Sequence, residues 1–172
     1  MAGGGRVPAA WIALAAAIAL SDQATKAVVL HAFEPGESLY VTGFFNLVLA
    51  FNDGAAFSFL AGAGGWQRWF FVGIALVASV VILVLLFRHR DERVFSVGLS
   101  LILGGAVGNV WDRLAHGHVV DFIQLHAMGW YWPAFNLADS SITVGAGLLI
   151  LDGFRPRPAP PAGGQGAVGK LE

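Results

Sequence analysis

Four long apolar stretches are the feature that most constrains this chain. They are "VPAAWIALAAAIALSDQATKAVVL" (7–30), "WFFVGIALVASVVILVLLF" (69–87), "VFSVGLSLILGGAVGNVWDRL" (94–114) and "FNLADSSITVGAGLLILDGF" (135–154). A helix needs roughly 20 apolar residues to cross about 30 Å of hydrocarbon, and each stretch meets that length. The wider composition agrees. Only 12% of residues are charged and mean hydropathy is +0.68, against about 25% charged in an ordinary soluble domain. The first stretch is too long for a signal-peptide core, and Asp22 and Lys26 interrupt it, so it is expected to remain as a span. Net charge is −1, which gives no basic footprint for nucleic acid. Cysteine is absent, which excludes disulfides, thiolate catalysis and Cys-based zinc sites.

Charge orients the four expected spans. Arg6, the run "RHRDER" with Arg88, Arg90 and Arg93, and then Arg155, Arg157 and Lys170 all fall on one side. The positive-inside rule makes that side cytoplasmic. The outer side receives 31–68 and 115–134, where Arg68 is the only lysine or arginine. Trp66, Trp69, Trp111, Trp130 and Trp132 lie near the outer ends of the spans, as aromatic rings at headgroup level do. Within 31–68, a strand is expected near Tyr40–Phe51, followed by a turn at Asn52–Gly54. Such a strand could cap the bundle or accept an extended peptide at its edge. The segment 115–134 is expected to be a short loop or helix. The Pro/Gly-rich 156–172 reads as a disordered cytoplasmic tail.

Polar groups inside spans are costly and mark candidate sites. Asp22 and Lys26 are four residues apart, so they share a helix face and can pair, either structurally or in lining a site. Asn109, Asp112 and Arg113 follow the small-residue step Gly104/Gly108. They form either a polar knot between helices or a substrate-holding group, with Arg113 suited to a carbonyl or carboxylate. Asp121 follows the third span and Asp139 opens the fourth, with no Lys or Arg within four residues of either. Each could cap a helix or pair locally. Brought together, they would have to share a proton. One could then act as base for a water while the other donates to the carbonyl under attack. His116, His118 and His126 form a loose cluster as a candidate zinc or copper site. "HExxH", "GxSxG" and phosphate-loop motifs are absent.

Taken together, the motifs resemble the lipoprotein signal peptidase family, also called signal peptidase II. "DQATK" (22–26), "FNLVLAFNDGAAFSFL" with Asn46, Asn52, Gly54, Ala55, Ala56 and Phe57, "GGAVGNVWDR" with Gly108, Asn109, Asp112 and Arg113, "VVDF" with Asp121, and "FNLADS" with Asn136 and Asp139 follow the family order. The resemblance implies an all-α membrane protein with four transmembrane helices and a small periplasmic β-like cradle. It implies an aspartic endopeptidase of the bacterial inner membrane; no cofactor is expected, and a monomer is expected because nothing in the sequence demands an oligomer. Such an enzyme removes the signal peptide of diacylglyceryl-modified prolipoproteins, cutting just before the lipidated cysteine. Asp121 and Asp139 match the catalytic pair. Asn52, Gly54, Asn109, Arg113 and Asn136 match residues that line the site or hold substrate, and Asp22, Lys26 and Asp112 match its support. Membrane lipid and globomycin-like cyclic peptide inhibitors are the other implied partners. A small proton-coupled transporter or a structural membrane subunit is the rival reading.

Overall fold

The computed structural model describes residues 9–54, 60 and 63–154. Expectations about Arg6, Ala55 to Phe57 and the 156–172 tail lie outside the described residues. Four helices occupy the four apolar stretches to within a turn at each end: α1 (Ala9–Ala32), α2 (Trp66–Arg88), α3 (Arg93–His116) and α4 (Leu137–Gly153). The first three are long and apolar enough to cross a membrane. α4 has 17 residues, about 26 Å of rise. α3 lies centrally, packing on α1, α2 and α4. It can do so because its glycines bring neighbouring backbones close. A Cβ on Gly104 would lie 2.6 Å from the Ala15 carbonyl oxygen, and one on Gly145 of α4 would lie 2.6 Å from the Gly98 carbonyl oxygen.

The rest is a four-stranded antiparallel sheet at one end of the bundle, ordered β1 (Ser38–Thr42), β2 (Phe45–Asn52), β3 (Val119–Ala127) and β4 (Trp130–Tyr131). Two expectations are corrected here. The strand expected near Tyr40–Phe51 is two strands, since the chain reverses at Gly43–Phe44, where Thr42 pairs with Phe45. The Asn52–Gly54 turn instead ends β2, with Asn52 Oδ1 accepting from the Gly54 N–H at 3.0 Å. The segment 115–134, expected to be a short loop or helix, is mostly strand. α3 ends at Gly117, whose φ of 86° needs the left-handed region that glycine enters freely, and "VVDFIQLHA" then runs as β3. Its β-branched and alternating residues suit a pleated strand.

Two apolar clusters bracket the interior. Ala15, Ile82, Leu86, Leu99 and Leu103 fill the end away from the sheet, while Val29, Leu49, Val120 and Phe122 seal α1 against the sheet. The buried polar groups Asp22, Lys26, Asn109, Asp112, Asp121 and Asn136 join in one network near the sheet end.

Candidate active site

Two elements deliver the two acids. On β3, Asp121 pairs in register with Ala50 of β2 and is 2% exposed. On α4, Asp139 is the third residue of the helix, in a capping box. Asn136 Oδ1 accepts from the Asp139 N–H at 2.9 Å, and Asp139 Oδ2 accepts from the Asn136 N–H at 3.3 Å. The same Asn136 side chain reaches across to β3, donating from Nδ2 to Asp121 Oδ1 at 2.7 Å. One asparagine therefore ties both acids together. Asn109 Nδ2 donates to Asp139 Oδ1 at 2.8 Å, and Asn52 Nδ2 donates to Asp121 Oδ2 at 3.0 Å.

Burial pushes the Asp121 carboxyl up to about 7, and the nearby Asp139 charge adds to it. The hydrogen bonds from Asn52 and Asn136, and the more distant Lys26, pull the other way. Near neutral pH Asp121 can therefore hold a proton, as acid–base work at a carbonyl requires of one member of a pair.

A buried ion triad sets the backbone under both acids. Lys26 Nζ lies 2.7 Å from Asp22 Oδ2 and 2.8 Å from Asp112 Oδ2. Asp22 Oδ1 accepts from the Ala138 N–H at 2.9 Å, one residue before Asp139. Asp112 Oδ2 accepts from the Val120 N–H at 3.1 Å, one residue before Asp121. Each acid of the pair is thus held by a different buried aspartate, and Lys26 bridges the two. Lys26 is 2% exposed, so it does not extend to the interface. Gly108 makes room, because a Cβ there would lie 2.5 Å from Asp22 Oδ2.

Asp112 and Arg113, neighbours in sequence, point apart. Asp112 turns to the triad, while Arg113 donates from Nη2 to the Gly54 carbonyl at 2.6 Å and from Nη1 to the Asn109 carbonyl at 3.3 Å. A cavity of about 560 Å³ opens onto the site, lined at its polar end by Asn52, Asn109, Arg113 and Asp139 and at its apolar end by Ile142 and Val144. Asp121 lies behind Asn52. The ten singled-out residues (Asp22, Lys26, Asn52, Gly54, Asn109, Asp112, Arg113, Asp121, Asn136, Asp139) all belong to one continuous network.

Gln23 was missed. Its Nε2 donates to Asp112 Oδ1 at 2.8 Å and to the Gly108 carbonyl at 3.2 Å. An uncharged polar residue inside a span, between Asp22 and Lys26, was the available signal. The histidines do not converge. His116 and His118 stack at 6.2 Å, but His126 lies far along β3 against Tyr131. Among the described residues no group of three His, Cys, Asp or Glu side chains could hold a metal.

Comparison with known proteins gives this geometry a family. The family model of signal peptidase II matches residues 14–155. The chain belongs to the signal peptidase II family. The peptidase is 56% identical over 153 residues to a lipoprotein signal peptidase of Ralstonia nicotianae, covering 89% of this chain and 88% of the relative. It is 57% identical over 148 residues to one of Cupriavidus necator, covering 86% and 85%. Its fold superposes on a bacterial membrane enzyme solved by the in meso method at 2.3 Å resolution, with a TM-score of 0.78 and 29% identity, covering 91% of this chain and 98% of that one. The peptidase is accordingly a multi-pass membrane enzyme.

Proposed function

We propose that the peptidase is an aspartic endopeptidase that removes the signal peptide from diacylglyceryl-modified prolipoproteins, just before the lipidated cysteine, with Asp121 and Asp139 as its catalytic pair. The observation that carries this reading is the Asn136 bridge, which ties the two carboxyls, from separate elements, into one unit. In the reaction, the ionised member takes a proton from a water, whose oxygen attacks the scissile carbonyl carbon. The protonated member donates to the carbonyl oxygen. Collapse of the tetrahedral intermediate breaks the C–N bond and returns a proton to the leaving amine.

Asn52, Gly54, Asn109, Arg113 and Asn136 hold the peptide beside the pair. Arg113 and the Asn52–Gly54 turn supply polar groups at the cavity, and the apolar wall of α4 receives lipid or signal segment. Asp22, Lys26 and Asp112 support the site. Acyl burial of about 0.8 kcal/mol per CH₂ keeps the scissile bond near the membrane surface. This agrees with acids placed at a helix start and on a strand, not at mid-span as a transporter would need.

The same reading places both termini in the cytoplasm, the site at the periplasmic face, and globomycin-like cyclic peptides in the Asp139 cavity. A monomer suffices, since every group named comes from one chain. The test is release of signal peptide from a lipidated prolipoprotein in detergent. Asp121→Asn and Asp139→Asn are each expected to lose turnover almost completely while keeping their melting temperature. Full turnover in either variant rejects the pair.

A further inference from the structure

We propose that the far end of the sheet is a membrane-inserting tip, in which the paired turns at Phe44 and Met128 carry apolar side chains into the outer leaflet beside α4. Two hairpin turns meet there. The β1–β2 turn at Gly43–Phe44 lies against the β3–β4 turn at Met128–Gly129, and the His126 N–H donates to the Phe44 carbonyl at 2.9 Å. Met128 has a φ of 50° and Gly129 of 83°, the left-handed pair that a two-residue hairpin turn requires and that Asn-Gly fills most readily. Methionine is strained in that region, yet Met128 stands at the first position and is 103% exposed. Phe44 and Trp130 are 64% and 83% exposed.

No acidic or basic residue occurs in 38–52 or in 122–138, His126 apart. In water, such an apolar tip at the edge of a sheet would invite association. Lipid accounts for it, and the geometry brings the tip to lipid. Leu125 of β3 lines the same cavity as Ile142 and Val144 of α4. Val144 lies five residues beyond Asp139, roughly 7.5 Å further along the helix. The sheet therefore overhangs the flank of α4 and does not stand away from it. That flank is exposed and apolar at Val144 and Leu151, so the tip continues the lipid-facing surface of the helices. Insertion has a depth limit. Among the described residues no strand pairs with the outer edge of β1, and hydrocarbon does not tolerate an open strand edge. The strands stay at headgroup level while Phe44, Met128 and Trp130 reach below it.

The absence of native cysteine makes the test direct. Single cysteines at Phe44, Met128 and Trp130 carry a nitroxide in protein reconstituted into phosphatidylethanolamine and phosphatidylglycerol vesicles. Val80→Cys on the exposed face of α2 marks lipid, and Ser38→Cys at the opposite end of β1 marks water. The tip labels are expected to relax more with oxygen than with a water-soluble nickel chelate, as at Val80, with Ser38 showing the reverse. Trp130 lies on ordinary strand backbone, so it repeats the measurement without touching the strained turn. Tip labels that behave like Ser38 overturn the proposal. So do labels shielded from both reagents, which would mean that protein covers the tip.

Discussion

Asp121 carries a proton affinity that its position imposes. Burial first, and Asp139 second, move its carboxyl from 3.8 to about 7. A raised carboxylate binds its proton more readily folded than unfolded, so between about pH 4 and 7 its contribution to stability falls as pH rises. Activity has the same limit on the alkaline side, because the pair must keep one proton. We expect kcat/KM to fall about tenfold per pH unit above the Asp121 titration. Asn52 donates to Asp121 and lowers its proton affinity. Asn52→Leu is therefore expected to move the alkaline limb of the pH–rate profile upward. An unmoved limb would detach that limb from Asp121. At the same scale, Lys26→Met would strand Asp22 and Asp112 in the interior. Breaking one partner out of a buried ion network costs about 3–5 kcal/mol, read as a drop in melting temperature in detergent. Adding Asp22→Asn to Lys26→Met should recover part of that loss, since one uncompensated charge is removed.

Among the elements, the α3–α4 seam decides where Asp139 stands. A Cβ on Gly105 would run into the Ala138 carbonyl and lie 2.8 Å from Ile142 Cγ1, and Ala138 immediately precedes Asp139. Gly105→Ala should cost about 1–3 kcal/mol through overpacking and should lower the cleavage rate as the start of α4 is pushed away. Gly147→Ala on the same helix meets nothing within 4 Å. It should be neutral or gain up to about 1 kcal/mol from helix propensity. Equal effects in the two variants would mean that the seam is not what positions Asp139. The helices were legible in the sequence because a bilayer demands long uninterrupted apolar runs. The strands were only partly so. "FFNLVLAF" is apolar at every position but Asn46, since Leu47 and Leu49 pack with Val29 and Phe33 while Phe44 and Phe51 reach the surface. Period-2 alternation was thus too weak to locate the reversal at Gly43–Phe44. The site residues were legible one by one as polar groups in apolar surroundings. Their joining was not, because Asn136 to Asp121 and Asp22 to Ala138 are contacts between elements that no local pattern encodes. Gln23 was legible in the same way, as a polar residue in an apolar span, but its partners Gly108 and Asp112 on α3 were not.

For the molecule as a whole, the distribution of polar groups makes its orientation testable. The sheet, the ion triad and both acids lie at the end formed by the C-termini of α1 and α3 and the N-termini of α2 and α4. The other end carries the α2–α3 turn, with Arg88, Arg90 and Arg93 in sequence. Basic residues resist translocation, so that turn should stay in the cytoplasm and the sheet should face outward. Because no native cysteine competes, single cysteines report sidedness without background. Ser38→Cys, exposed at the start of β1, and Asp91→Cys, exposed in the α2–α3 turn, lie on opposite sides in this topology. In intact spheroplasts a membrane-impermeant maleimide should label Ser38→Cys and spare Asp91→Cys, and both should react once the membrane is opened. Labelling of Asp91→Cys before lysis would put the acids on the cytoplasmic side. They would then face no translocated substrate, and the proposed cleavage of prolipoproteins at the outer surface would fail even with the pair intact.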